Sequence, residues 1–400
     1  MNGLTLELLD LIARWVHVIA AIMWAGNSLL FNWLDRSLVP ANKPGQTRSP
    51  TGTIWLLHSG GFYYVEKTPM AGEGLPAPLH WFKWQAYTTW LSGVVLLIVV
   101  YYGGGRALMA SPLGGLTHTE ATLVGVGAIS GGWLIYELMQ RIVAPRMPSL
   151  STVIWVGSLT AIAILLTRAL DGRAAFLHVG AMLGTIMAGN VAMTIVPSQR
   201  ELVASVSEGR GADPTVSARA KRVSIHNNYF TFPVIVLMVS SHFPAIYGSR
   251  WSWALLLLLI VAGATVRHVL NLRWTYASWK PALGATMAVS AIALWATVRA
   301  GAGAGPKAVV HTGPVAFAEV RHVIDRRCSV CHSQSPAERS FGIAPGGVAF
   351  DTPAEILSRA DRIKERAVTT RTMPPANRTN MTDGERALLA RWIAGGATGQ

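Results

Sequence analysis

Cysteine is nearly absent: the 400 residues hold two, Cys328 and Cys331, three positions apart. A disulfide framework is thereby excluded. Charge is scarce too, at 14% of residues, well below the roughly 25% of an ordinary soluble chain. Acid is the scarcer sign, with 20 Asp and Glu against 34 Lys and Arg. Beside 15 tryptophans and 51% hydrophobic residues, that basic excess does not describe a nucleic-acid surface. It describes the cytoplasmic loops of a membrane protein, where Lys and Arg collect. A cleavable leader is also missing. The first apolar stretch is broken by Asp10 and Arg14, runs on to Leu34, and has neither a basic start nor a small-residue cleavage site. It reads as a retained first membrane helix.

What is present is a series of long apolar runs. A span needs about 20 mostly apolar residues. Eight stretches qualify, near 11–34, 80–102, 120–140, 150–168, 172–196, 227–247, 251–270 and 282–299. The sixth is the weakest, because it holds Asn227, Asn228 and Pro233. The stretch from Trp55 to Val65 is too short to span and reads as a re-entrant or interfacial piece. Lys and Arg number thirteen in the odd-numbered connections and four in the even-numbered ones. The odd loops are therefore expected in the cytoplasm and both termini outside it. After Arg299 comes Ala-Gly-Ala-Gly-Ala-Gly-Pro, a flexible linker. Three segments result: a membrane domain over 1–299, a linker over 300–311 and a small polar domain over 312–400.

The two cysteines belong to Cys328-Ser329-Val330-Cys331-His332, which fits C-x-x-C-H, the attachment signature of c-type haem. Two thiols one helical turn apart can add to both vinyl groups, and the adjacent His332 then sits under the iron as proximal ligand. A zinc half-site would need a second ligand pair, and no other cysteine exists. A thioredoxin-like thiol pair would need a βαβ setting. Met373, in Thr372-Met373-Pro374-Pro375, is the expected sixth ligand, with prolines to stiffen its loop. Met381 competes, but immediately precedes a helix start. Such a His/Met iron passes electrons and does not bind oxygen. Capping-box starts at Thr352/Glu355 and Thr382/Glu385, a helix near 315–327, and a last helix with Leu388, Leu389, Trp392 and Ile393 on one face complete the segment. The expected fold class is all-α: a polytopic membrane helix bundle of about eight spans, followed by a small all-α class I-like cytochrome c domain.

Ionisable groups inside spans are functional candidates. His17, His178, His226, His242 and His268 lie in or at the ends of the expected helices, as do Arg14, Glu137 and Arg267. Counting along the helices at about 1.5 Å per residue puts His17, His178 and His242 near the outer face. It puts His226 and His268 near the inner face, flanked by His58 and His80. Most of the Trp and Tyr reads as interfacial belts.

Two runs are more specific than any span. One is His226-Asn227-Asn228-Tyr229-Phe230-Thr231-Phe232-Pro233, continuing to Ser241-His242-Phe243-Pro244. The other runs from Arg14-Trp15-Val16-His17 through Met23-Trp24-Ala25-Gly26-Asn27-Ser28 to Trp33-Leu34-Asp35. With eight spans and a fused cytochrome c, the whole chain resembles the bacterial membrane-bound urate oxidases, also called urate hydroxylases. The resemblance implies conversion of urate to 5-hydroxyisourate, with electrons leaving through the cytochrome to a respiratory acceptor instead of directly to oxygen. It implies a bacterial plasma membrane location, with lipid and urate as partners and no nucleic acid.

An inner site near His226, Asn227, Asn228, Tyr229 and His268 suits urate made in the cytoplasm. Electrons would then cross most of a core ~30 Å thick, so the outer His17, His178 and His242 are candidates for a non-covalent haem b or a proton-transfer site. Two alternatives stay open: a quinol-linked electron conduit and a non-catalytic cytochrome subunit of an oxidase.

Overall fold

A computed structural model describes residues 3–40, 51–68, 75, 77–103, 109, 115–210, 213–301, 315–338, 344–374, 377 and 379–399. Most of the chain is helical, and eight helices are long and apolar enough to cross a membrane. The first is α1, Gly3–Ser37. The second joins α2, Trp84–Leu97, to a π-turn at Ile98–Tyr102. The third joins α3, His118–Leu138, to a π-turn at Met139–Val143. The fourth is α4, Pro148–Ala169. The fifth runs through α5, Gly172–Asn190, a π-turn at Val191–Ile195 and α6, Val196–Ser207. The sixth is α7, Pro214–Ser240. A short α8, Pro244–Tyr247, leads to α9, Ser252–Leu272, and α10, Trp279–Gly301.

Local sequence sets the starts. Thr117 and Glu120 form a capping box at α3, so two orphan N–H groups are satisfied reciprocally. Asp171 caps α5 and Asp213 caps α7, each accepting from a backbone N–H two residues on. Pro148 and Pro214 stand in first turns, where a missing N–H costs nothing. The middle of the bundle is α5, buried around most of its circumference by Phe176, Val179, Met182, Leu183 and Ile186. The most apolar stretch of α10 has no fully buried residue, and Leu294 and Val298 pack, partly buried, against the core.

The sixth span differs from the sequence reading. Its helix starts at Pro214 and ends at Ser240, well before residue 247. Polar residues of its first three turns hide the start from a hydropathy count, and the Asp213 cap supplies it. The Trp55–Val65 stretch, expected to be re-entrant or interfacial, is extended and not helical. It lies in an antiparallel hairpin of β1, Gly52–His58, and β2, Gly61–Lys67. Ser59 and Gly60 turn it, both at positive φ (50° and 76°), as a primed two-residue turn requires.

The linker over 300–311 lies outside the described residues from position 302 onward. Beyond it a second core forms, sharing no residue with the first. It gathers α11, Phe317–Arg327, α12, Pro353–Leu357, α13, Ala360–Ile363, and α14, Asp383–Ala394. Val320, Ile324, Phe350, Ile356, Leu389 and Trp392 fill it. Both capping boxes read from the sequence are present, at Thr352 and Thr382.

Candidate active site

The polar residues of α7 point two ways. Toward α3 and α5, Asn190 Nδ2 donates to Tyr136 Oη at 3.1 Å and to Asn227 Oδ1 at 2.8 Å. Asn227 Nδ2 donates to the Met187 carbonyl at 3.0 Å. Tyr136 Oη lies 2.8 Å from His226 Nδ1. That hydroxyl also accepts from Asn190, and it can donate its own proton to a neutral imidazole with Nδ1 unprotonated. Trp155 packs edge-on against the Tyr136 ring at 5.3 Å, and Phe230 lies 6.2 Å from it. Tyr136, Asn190 and Asn227 are all buried, so the network is worth most where water is absent.

Toward α9, Asn228 Oδ1 accepts from Arg267 Nε at 3.0 Å and from Asn271 Nδ2 at 2.8 Å. Arg267 is 3% exposed and sits 5.5 Å from the Phe232 ring. Among the described residues no carboxylate pairs with it. The two helices meet closely because position 263 is glycine: a Cβ there would come 2.8 Å from the Pro233 nitrogen. Tyr229 Oη bonds His268 Nδ1 at 2.7 Å. His268 itself is exposed, so this pair edges the bundle instead of filling it.

All five residues expected at an inner site are therefore hydrogen-bonded across helices. Asn227 and Asn228 tie α7 to α5 and α9, while His226 pairs with Tyr136 of α3. Sequence reasoning missed Tyr136 and Asn190. Each stands 18 residues past the first residue of its helix, hence at one depth, about 27 Å along at 1.5 Å per residue. That coincidence of count was the available signal. Directly beyond each lies a π-turn, a bulge that recurs at functional positions.

The outer histidines do not form a set. His178 donates from Nδ1 to the Ala174 carbonyl at 2.7 Å, and its Nε2 accepts from Tyr102 Oη at 2.9 Å. Neither nitrogen is left for an iron. His17 bonds the Thr89 carbonyl at 2.9 Å and Ser92 Oγ at 3.2 Å. Those partners lie near the middle of the helix that α2 forms with its π-turn. His242 is exposed in the turn after α7. The three share no partner among the described residues, and this arrangement does not fit a haem held between two imidazoles. His58 and His80 are exposed, and His80 packs on Phe82.

In the second core, Cys328 follows the last residue of α11, and the N–H of His332 donates to its carbonyl at 2.8 Å. His332 Nδ1 donates to the Val348 carbonyl at 2.9 Å, which leaves Nε2 as the free lone pair. A backbone partner on the far nitrogen is how metal-ligating histidines are oriented. Burial pushes the Cys328 thiol up to about 12, the opposite of an activated redox thiol. The Met373 N–H donates to the Arg366 carbonyl at 2.9 Å, and the Met373 carbonyl accepts from buried Arg386 at 2.9 Å. Arg386 also grips the Ala367 carbonyl and Asn377, so the loop carrying Met373 is pinned from α14. Met381 is packed into the core. Two neighbouring thiols and a His332 ring with Nε2 left open are a donor set chemically suited to a c-type haem.

Eight helices long and apolar enough to cross a membrane, packed around a buried network of Tyr, His, Asn and Arg, are compatible with a helical membrane protein. The Urate oxidase N-terminal family matches residues 3–298, and the chain belongs to that family. Family membership places it among urate-oxidase-related oxidoreductases. Neither a curated protein nor a solved structure matches it.

Proposed function

We propose that the chain oxidises urate to 5-hydroxyisourate in its membrane half and passes the electrons through a c-type haem held by Cys328, Cys331, His332 and Met373. Family membership across 3–298 carries the reaction class. The reaction adds one water oxygen to a ring carbon of urate and releases two protons and two electrons. Tyr136 and His226 form the proton-accepting pair. The His226 imidazole is the base toward water, and Tyr136 Oη, itself held by the Asn190 amide, orients the ring at Nδ1. Arg267, buried without a carboxylate among the described residues, supplies positive potential for an anionic substrate. When bound, the haem supplies a one-electron acceptor, so each urate requires it twice. The loop-charge asymmetry supports a bacterial inner membrane topology with both termini and the cytochrome segment on the periplasmic side, facing a respiratory acceptor.

The test is to add urate to the oxidised full-length protein without oxygen and follow haem absorption. Reduction by urate, and none by a quinol analogue, is the expected result. Reduction by the quinol alone would overturn this reading in favour of an electron conduit.

A further inference from the structure

One turn toward the expected cytoplasmic end from the Tyr136–His226 pair, three spans each carry a polar side chain with one buried atom left unpaired among the described residues. Gln140 lies on the π-turn one turn past Tyr136. Ser151 lies on α4 one turn before Trp155, and Arg222 lies on α7 one turn before His226. Gln140 and Ser151 are buried, at 8% and 2% exposure. Gln140 Oε1, Ser151 Oγ and Arg222 Nε are buried atoms without a hydrogen-bond partner among the described residues. Leaving such a group unpaired costs about 1–3 kcal/mol, and native interiors rarely do so without a reason. Three at one level, under one aromatic wall, share a reason.

The charge there is also unspent. Glu137, the carboxylate nearest this level, is paired with Arg141 and lies 3.7 Å from Arg219. Arg222 reaches only the Gln140 carbonyl, at 3.5 Å. Its guanidinium lies within electrostatic reach of Tyr136 and His226. The level therefore offers a cationic donor, an amide oxygen that accepts, and a hydroxyl that does either, below a wall of Trp155, Tyr136 and Phe230 rings.

We propose that Arg222, Gln140 and Ser151 form the recognition edge of the substrate seat and grip a planar heterocyclic anion whose rim alternates carbonyl and N–H groups. Resting on the function proposed above, that anion is urate: Arg222 meets the anionic rim, Gln140 Oε1 accepts a ring N–H, and Ser151 meets the neighbouring carbonyl. The ring then lies against the aromatic wall, with its edge toward Tyr136 and His226.

The test is equilibrium binding to the purified full-length chain, reduced beforehand and free of oxygen, so that binding is read without turnover. The probes are radiolabelled urate and its tetramethylated analogue, which is neutral and has no N–H. Wild type should bind urate and not the analogue. Arg222→Gln should weaken urate by about tenfold or more, Arg222→Lys should retain part of the affinity, and Gln140→Leu and Ser151→Ala should each lose severalfold. Arg210→Gln, in an exposed loop, should change nothing. If Arg222→Gln does not fold, Arg222→Lys and Ser151→Ala decide. Urate binding that is tight in wild type and unchanged in every variant overturns this edge and leaves the proposed function standing. If wild type binds no urate at all, the function falls and the three atoms hold water only.

Discussion

Tyr136 of α3 and His226 of α7 are joined by a 2.8 Å hydrogen bond across the bundle, although 90 residues separate them in sequence. Tyr136→Phe keeps the ring against Trp155 and removes only the oxygen. We expect kcat for urate to fall by about a hundredfold, the usual scale for losing an acid–base partner, with KM nearly unchanged. Steady-state kinetics with an artificial electron acceptor would measure both. A changed KM and an intact kcat would move Tyr136 out of the proton pathway.

The α7–α9 contact has a cleaner readout, because one glycine sets it. Gly263→Val should lower thermal stability in detergent by about 1–3 kcal/mol, since its side chain would have to enter the space held by Pro233. Gly184→Ala is the matched control: no heavy atom lies within 4 Å of the Cβ position there, so it should be neutral or slightly stabilising. Equal effects of the two would mean that the contact bears no strain.

Replacing Met373 with Ala should leave haem attached through the two cysteines but lower its potential and open the iron to external ligands. Met381→Ala should instead lower stability, because Met381 is packed in the core. Redox titration and imidazole binding separate the two. An unchanged potential in Met373→Ala would sink the ligand assignment.

Acid should loosen the His332 loop through Asp351. Its carboxylate is held below the ordinary range by the Gln334 N–H, at 2.8 Å, and then by Ser333 and Arg321. A lowered carboxylate contributes stability above its ordinary value, near 3.9, and loses it as pH falls through the depressed one. The haem spectrum during acid titration should therefore change less steeply in Asp351→Asn than in wild type. Identical titrations would show that another carboxylate governs the loop.

A reporter fused after Gln400 should be active outside the cytoplasm only. Cytoplasmic activity would contradict both the loop-charge asymmetry and haem attachment at Cys328 and Cys331.

The helices and their number were legible in the sequence because burial and apolar runs follow the same chemistry. The two C-terminal caps were legible because Thr and Glu three apart can hardly do anything else so well; the same pattern at Thr117 and Glu120 was passed over. The start of α7 was not legible, since its first turns are polar. Nor was the 52–67 hairpin, whose apolar residues are too few to distinguish period two from a helix fragment. His226 could be singled out from its neighbours in sequence. Its partners Tyr136 and Asn190 could not, because nothing local says which face of a uniformly apolar helix meets which neighbour. The outer histidines mislead for the same reason: equal depth is not convergence, and His178 is satisfied within its own helix and by Tyr102.

The bulges at Met139–Val143 and Val191–Ile195 carry a last consequence. Each inserts one residue beyond what an α-turn uses, so the helix below it is out of phase with the helix above by about 100°. Gln140 and Thr194 face inward, at 8% and 4% exposure, because of that offset. Removing a single residue from either bulge would restore a regular helix and swing the part after the bulge away from its present neighbours, while the part before it kept its packing. The two halves of these spans can thus be tuned separately, and the length of the chain, as much as its side chains, encodes which wall the interior presents.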